Sequence, residues 1–238
     1  MQLKIASWNI HELPPTVRNE GRRWAFDSEL PDIVMLQELS ELHVDHWPLE
    51  YVETCMVEPS VGRPGRSMGL AIASRFPLRD VTSLLFENPG WRNDDDERPL
   101  TAHPKGALIA EVMHPSRTLK VACLHMLPMR LFGVKEESSE GVVYAQSCLS
   151  ALTGCGGAFD VVAGDFNSEL KQVMALTLGM AGSVGKRPTR NSGQSHDDIF
   201  LSQHLRLRSI EILPTDSDHH AVIVDVFLAR QSKDDCRS

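Results

Sequence analysis

An α/β fold is predicted for this 238-residue chain by three observations. Apolar runs of strand length recur along it, some of them separated by stretches of helical length. The first two runs, Leu3 to Ile10 and Ile33 to Glu38, end near a polar residue (Asn9, Glu38) on either side of a helical stretch. That is the pattern of a βαβ unit with its site at the strand ends. The third observation is Phe159-Asp-Val-Val-Ala-Gly-Asp-Phe-Asn167, where an apolar run stops at Gly164 and Asp165 and Asn167 follow at once. A buried strand delivering a carboxylate and an amide to the mouth of a sheet reads this way. So does an ordinary strand exit with Asp and Asn as turn formers. If the chain stays extended, alternate residues share a face, so Asp165 and Asn167 point together while Phe166 turns into the core.

The elements follow in order. Leu3, Ile5 and Trp8 introduce a strand ending at Asn9-Ile10. Pro14-Pro-Thr16 resets the backbone, and Thr16 caps a helix over Val17 to Leu30. Pro31-Asp32 opens the strand Ile33 to Glu38. A short helix over Glu41 to Trp47, a strand over Tyr51 to Val57 and a Gly/Pro loop over Ser60 to Arg66 come next. Gly69 to Leu78 is a buried strand followed by a Pro-marked turn. Asn88 to Pro104 is a polar connection whose acidic run, Asn93 to Glu97, reads as solvated loop rather than metal site. Lys105 to Val112 and Leu119 to His125 form neighbouring antiparallel strands turning at His114-Pro-Ser116. After an irregular Met126 to Lys135, a helix over Glu136 to Leu152 stops at Gly154-Cys-Gly-Gly157. Ser168 caps a helix through Leu178, and Gly179 to Gln194 is a long basic loop bordering the site. Asp198 to Leu201, Leu205 to Leu213 and Ala221 to Leu228 supply the last strands. No linker or tandem repeat divides the chain, so residues 1–230 are expected to form a single domain, with 231–238 a disordered polar tail.

Composition narrows the function classes. No run approaches the roughly 18 apolar residues of a membrane span, so no integral membrane association is expected. The N-terminus lacks a basic segment leading into an apolar one, and a cytoplasmic monomer is the default expectation. Five cysteines, odd in number and without metal-like spacing, argue against a full disulfide framework, and three of them, in or beside apolar stretches, read as small core residues. A net charge of −8 argues against a nucleic-acid coat protein, which needs a basic footprint. It leaves a nuclease open, because a metal-binding site itself concentrates carboxylates.

Five strand ends carry polar groups: Asn9, Glu38, His125, Asp165 with Asn167, and Asp218-His219. Asp197 opens another strand. Each interrupts or follows an apolar run, where an unpaired buried charge is costly, so together they mark a site. The oxygens of Glu38, Asp165, Asp218 and Asn9 are hard donors, suited to Mg²⁺ or Mn²⁺ and poor for zinc or copper. Imidazoles beside them can hydrogen-bond phosphoryl oxygens or move a proton, which suits attack of water on a phosphate ester. Asp218 and His219 are adjacent, so their side chains diverge in an extended segment. The carboxylate that orients His219 must come from elsewhere, and Asp197 is the candidate.

Trp8-Asn9, Gln37-Glu38, Gly69-Leu-Ala-Ile-Ala-Ser-Arg-Phe-Pro77, Lys105-Gly-Ala-Leu108, Leu124-His125, Gly164-Asp-Phe-Asn167, Asp197-Asp-Ile-Phe200 and Ser217-Asp-His219 follow one another in a familiar order. The set resembles the endonuclease/exonuclease/phosphatase superfamily, to which DNase I, AP endonucleases, tyrosyl-DNA phosphodiesterase 2, neutral sphingomyelinases and inositol polyphosphate 5-phosphatases belong. The resemblance implies a DNase I-like four-layer α/β/β/α sandwich of two mixed sheets. It implies Glu38 as the principal Mg²⁺ (or Mn²⁺) ligand, helped by Asn9 and Asp218. Asp165 would position or deprotonate the attacking water, and Asn167 would hold the water or the phosphate. His219, paired with Asp197, and His125 would contact the scissile phosphate, with Lys105 and Asn9 as further substrate contacts. The general base stays open between Asp165 and His219. Three positions depart from the family pattern: Asp198 replaces a frequent aromatic, Met68 a frequent glutamate that partners the histidine at 125, and His220 doubles the histidine after Asp218.

The leading expectation is a divalent-metal-dependent nuclease acting on the phosphodiester bonds of DNA or RNA. The alternative is a phosphatase or phospholipase-type hydrolase of an inositol phosphate, sphingolipid or small nucleotide. The absence of a basic, aromatic-studded strip favours the alternative, whereas no amphipathic docking hairpin speaks for a lipid surface. A degenerate binding scaffold predicts lost ligands, and none of the expected acidic or histidine positions is lost. Arg130, Lys135, Lys186, Arg187 and Arg190 are either phosphate-backbone contacts or ordinary surface charge.

Overall fold

The computed structural model describes residues 1–11, 30–40, 49–59, 67–94 and 99–229. The helix expected up to Leu30 (apart from that residue), the helix over 41–47, the loop over 60–66, the acidic run from 95 onward and the tail at 231–238 lie outside the described residues.

One sheet contains β1 (Gln2–Asn9), β2 (Ile33–Ser40), β3 (Tyr51–Pro59), β4 (Ser67–Ser74), β13 (Leu205–Leu213) and β14 (Ala221–Leu228), in the order β13-β14-β1-β2-β4-β3. The other contains β5 (Leu78–Leu85), β8 (Gly106–His114), β9 (Arg117–His125), β10 (Val161–Asp165), β11 (Ala181–Gly182) and β12 (Asp197–Leu201), in the order β11-β12-β10-β9-β8-β5. Each sheet has one parallel pair at its centre, β1 with β2 and β9 with β10, and antiparallel pairs elsewhere. Both sheets are therefore mixed, as expected.

The sheets pack face to face. Leu3, Ile5, Ile33, Met35, Leu70 and Ile72 of the first meet Leu108, Val121, Cys123, Val161, Ala163 and Ile199 of the second in one continuous core. The second sheet buries its other face under α1 (Ser139–Gly154) and α2 (Lys171–Thr177), where Tyr144, Leu149, Leu152 and Met174 cover Ala122, Leu124, Val162 and Phe200. Burial on both faces explains why the central strands read as continuous apolar runs rather than clean alternations. The thiol of Cys123, sealed between the sheets, is pushed up to about 12 by burial, and Cys148 under α1 likewise. Both behave as small core residues. Among the described residues no helix is long and apolar enough to cross a membrane.

Three local expectations are corrected. The run Gly69 to Leu78 is not one strand. It breaks after Ser74, whose Oγ accepts the Phe76 N–H, and Pro77 turns the chain into β5 of the other sheet. β5 had no sequence signal because it is an edge strand with both faces largely exposed, so apolar periodicity is not required of it. The polar connection 88–104 holds a two-strand ladder, β6 (Arg92–Asn93) with β7 (Leu100–Thr101).

Ser168 Oγ accepts the Leu170 N–H (3.0 Å), but α2 begins only at Lys171, with no side-chain cap hydrogen bond of its own. Instead the Glu136 carboxylate, arriving from the loop before α1, accepts the N–H groups of Glu169 (3.0 Å) and Leu170 (3.3 Å) and bonds Ser168 Oγ. A carboxylate at the start of a helix satisfies otherwise orphaned donors and favours the helix dipole. Glu136→Ala is expected to cost about 1 kcal/mol, a fall of roughly 2–4 °C in Tm for a chain of this size. A thermal melt checks it, and an unchanged Tm would remove Glu136 from this role.

Candidate active site

The alternation that builds the inter-sheet core also builds the site. Along β1, Leu3 and Ile5 face the second sheet, and the same side of the strand continues through Ser7 to Asn9. Along β9 the series is Val121, Cys123, His125. Along β10 it is Val161, Ala163, Asp165, and along β12, read backwards, Leu201, Ile199, Asp197. Asp165 is the direct register partner of both His125 and Asp197. Four strands thus place their last inward-facing position at one end of the sandwich, and each of those positions is polar.

Glu38 reaches the same place by another route. Strict alternation would turn it outward, but a bulge interrupts the β2–β4 ladder between Leu36 and Leu39, and Glu38 has a left-handed φ of +55°. Such a bulge re-aims one side chain without breaking the strand. Asn167 also differs from expectation. The strand ends at Asp165, and Asn167, at φ +48°, donates its backbone N–H to Asp165 Oδ1 (2.8 Å) and its Nδ2 to the Met126 carbonyl (2.9 Å). Of the four non-glycine residues with positive φ among the described residues, three (His11, Glu38 and Asn167) surround this site. Gly164 serves it as well: a Cβ there would stand 1.9 Å from the Leu124 carbonyl oxygen, so only glycine lets β10 lie close enough to β9.

Asp165 is the hub. Its Oδ2 accepts Asn9 Nδ2 at 3.0 Å and faces Nε2 of His125 and of His219, each at 3.6 Å. Burial alone would raise its carboxyl, but His219, His125, His196 and the Asn167 N–H hold it below the ordinary range. The other nitrogen of His219, Nδ1, donates to Asp197 at 2.9–3.0 Å, the pairing expected from sequence. Burial would lower the imidazole, yet Asp197 and Asp165 together lift it to about 9. His219 is therefore protonated at neutral pH and Asp165 is ionised.

Asn9 Nδ2 also donates to Glu38 Oε1 (3.1 Å), so one amide bridges the two carboxylates, while its Oδ1 accepts the His11 N–H. Glu38 lies 3.7 Å from His125 and 3.2 Å from His11. Burial would raise Glu38, but hydrogen bonding to His11 and the neighbouring His125 and Lys105 depress it well below the carboxylate range. Lys105 is buried, and its Nζ meets His125 Nδ1 at 3.2 Å. An ammonium only donates, so Nδ1 accepts and the His125 proton sits on Nε2, facing Asp165 and Glu38. Lys105 thus fixes the tautomer of His125, the role for which the sequence offered no partner once Met68 proved to be core.

Asp218 stands at the rim. One oxygen pairs with Arg190, and Oδ1 is buried without a hydrogen-bond partner among the described residues. That orphaned oxygen and the ionised Glu38 are hard donors of the kind a divalent cation takes, so the residues present fit the metal that the fold family implies. The ligand atoms of Asp165, Asp197 and His219 also lie within 4.8 Å of one another. These are the three side chains of His, Cys, Asp or Glu that the described residues bring this close together. Asp197 is spent on His219 and on the Thr189 hydroxyl (2.7 Å), and a protonated imidazole repels a cation.

Several participants escaped the sequence reading. Thr189 donates to Asp197 and accepts the N–H groups of His196 and Asp197. Buried Lys171 donates to the Ser195 and Asp197 carbonyls, tying α2 beneath β12. Both act across the chain and left no local signal. His11, two residues past Asn9, had one: a polar residue just beyond a strand end. Asp198, which replaces the aromatic, accepts the N–H groups of Ser183, Val184 and Ile199 and anchors the turn after β11. Arg130 reaches Gln194 at 2.7 Å and links the irregular stretch Met126 to Lys135 to the loop Gly179 to Gln194, whereas Arg187 binds the carbonyls of Ser183 and Val184.

A family model described as Endonuclease/Exonuclease/phosphatase matches residues 6–219. No curated protein matches the chain in sequence. Among solved structures it is similar to an endonuclease/exonuclease/phosphatase from Beutenbergia cavernae DSM 12333, with TM-score 0.68 and 18% identity over 96% of this chain and 72% of that one. It is also similar to a mannosyl-6-phosphatase from Bacteroides thetaiotaomicron VPI-5482 (TM-score 0.60, 14% identity, 95% and 100% covered). A third is the endonuclease domain of TRAS1, a telomere-specific non-LTR retrotransposon (TM-score 0.58, 12% identity, 98% and 100% covered). At these identities the likeness is one of fold, and the fold is the DNase I-like α/β sandwich.

Proposed function

Since the chain belongs to the endonuclease/exonuclease/phosphatase family, we propose that it hydrolyses phosphodiester bonds of DNA or RNA with the help of Mg²⁺ or Mn²⁺. The observation that carries this reading is one ionised carboxylate oxygen, Asp165 Oδ2, facing Nε2 of two histidines at 3.6 Å each, with Glu38 joined to it through Asn9. A phosphate ester needs a proton acceptor for water and donors for its oxygens, and this arrangement supplies both.

The protonation states divide the work. Asp165, ionised, takes the proton of the attacking water. His219, already protonated, cannot serve as base and instead offers Nε2–H to a phosphoryl oxygen, with Asp197 stabilising its charge. His125 offers its Nε2–H to another oxygen, with Nδ1 turned to Lys105. Asn167, pinned to Met126, keeps its amide oxygen for the water. Glu38 and Asp218 would hold the cation. Asn9, whose nitrogen faces both carboxylates, positions Glu38 and Asp165 rather than ligating. When bound, the cation supplies charge neutralisation at the phosphate and the leaving oxygen.

One observation favours the alternative, a phosphatase or phospholipase-type hydrolase of a smaller substrate. Arg130 and Arg190 are already engaged, on Gln194 and Asp218, in a chain of net charge −8. The experiment is hydrolysis of single- and double-stranded DNA, abasic DNA, RNA, an inositol polyphosphate and sphingomyelin with Mg²⁺, Mn²⁺ or EDTA. Asp165→Ala is the control. Metal-dependent cutting of nucleic acid, absent from the variant, is the expected result. Turnover confined to the inositol phosphate or the lipid would transfer the assignment, and cutting that survives EDTA or Asp165→Ala would overturn the mechanism.

A further inference from the structure

We propose that Arg190 is a substrate-contacting residue, whose guanidinium binds the scissile phosphate beside His219. The inference rests on the phosphate-ester reading above and adds one residue to that site.

Arg190 lies in the loop Gly179 to Gln194, yet its backbone is held as in a strand. It forms an isolated antiparallel bridge with His219. The hydrogen bonds of that bridge run through the flanking residues. The Asn191 N–H donates to the Asp218 carbonyl (3.0 Å), and the His220 N–H to the Thr189 carbonyl (2.7 Å). Arg190 and His219 are thus a non-hydrogen-bonded pair, whose side chains leave on one face with Cβ atoms about 5 Å apart. Since His219 turns Nε2 to Asp165, Arg190 projects on the same side, toward the mouth of the sandwich. Its own N–H donates to the Gln194 carbonyl (3.0 Å) and its carbonyl accepts the Gly193 N–H (2.9 Å), which closes the turn beneath it.

The side chain completes the placement. Nη2 donates to Asp218 Oδ2, and the other oxygen of that carboxylate lies 4.0 Å from His219 Nε2. One carboxylate therefore spans the gap between guanidinium and imidazole. Arg190 is close enough to oppose the protonation of His219, although the two carboxylates beside the imidazole outweigh it. The guanidinium is not saturated. Nε has no hydrogen-bond partner among the described residues, and the side chain is only 16% exposed. A buried donor left unpaired calls for an acceptor, and a planar guanidinium suits the oxygens of a phosphate. Two cationic groups then share the phosphoryl oxygens and stabilise the charge that builds there in the transition state. The competing account is that Arg190 does no more than neutralise Asp218.

The test is calorimetric titration of the full chain, in Mg²⁺, with inorganic phosphate as the probe. Arg190→Met is expected to weaken phosphate binding by about 10-fold or more, the worth of a charge-assisted hydrogen bond. Arg190→Lys, which keeps the charge but loses the fork, is expected to fall between the two and guards against a folding defect in the methionine variant. The loss is expected to persist when Arg190→Met is made in an Asp218→Asn background. A loss that vanishes in that background would mean that Arg190 acts only through Asp218, and would overturn the proposal. So would phosphate binding within about 2-fold of wild type in Arg190→Met. Cleavage of DNA by the same proteins separates the two levels of inference. Phosphate binding that depends on Arg190 in a protein that cuts no phosphodiester would sink the nuclease reading alone. Metal-dependent cutting with phosphate binding indifferent to Arg190 would sink the Arg190 assignment alone.

Discussion

Asp165→Asn is expected to lower kcat by about 10³-fold at neutral pH, within the range that general acid–base catalysis contributes. The substitution is nearly isosteric, and its amide oxygen can still accept the Asn167 N–H now bound by Oδ1 at 2.8 Å. What disappears is the acceptor for the water proton and one of the three carboxylate charges within 4.0 Å of His219. Because Asp165 helps lift His219, the imidazole of the variant should titrate at lower pH, visible by NMR of the ring protons. Loss of kcat with a folded protein and a lowered His219 titration is the expected pair of results. A variant within about 3-fold of the wild-type kcat would rule out Asp165 as base, since losing a true base costs at least about 10²-fold.

Much of this site was legible because the sandwich repeats one rule. The period of two that buries Val121 and Cys123, or Val161 and Ala163, carries the next residue of the same face to the mouth of the core. A polar residue directly after such a series, as at His125 and Asp165, is thus a positional statement. Asn9 and Asp197 follow the same rule. Glu38 does not: its inward turn depends on a bulge, and nothing in Leu36-Gln-Glu-Leu39 announces one. Asn167 was grouped with Asp165 on the argument of an extended chain, yet it arrives there through a turn that closes on Asp165 itself. The start of α2 was misread for a related reason, because its cap comes from Glu136, more than thirty residues earlier. Contacts made through the tertiary fold, like those of Thr189 with Asp197 and Lys171 with Ser195, leave no local pattern either.

Asp197→Asn is expected to have the second large effect, this time on stability and with a defined pH signature. The folded-state pKa of His219, about 9, lies above its ordinary 6.5. For a group raised in this way, the stabilisation is fully present below pH about 6.5 and is lost as pH rises through about 9. The difference corresponds to about 3 kcal/mol. Both partners are buried, His219 4% and Asp197 0% exposed, so solvent screens the pair little. Removing the Asp197 charge removes the principal cause of the shift. The variant should therefore be less stable than wild type by less than about 3 kcal/mol near pH 6.5, because Asp165 still supports the imidazole and burial pushes the Asp197 carboxyl itself up, and the gap should narrow above pH 9. Urea denaturation at pH 6.5, 7.5 and 9.5 measures that gap directly. The alkaline fall of kcat should move to lower pH in parallel, because the same proton that stabilises the fold is the one His219 offers to the phosphate. A gap that stays constant with pH would mean that Asp197 serves packing and its Thr189 hydrogen bond alone, and His219 would then need another source for its charge.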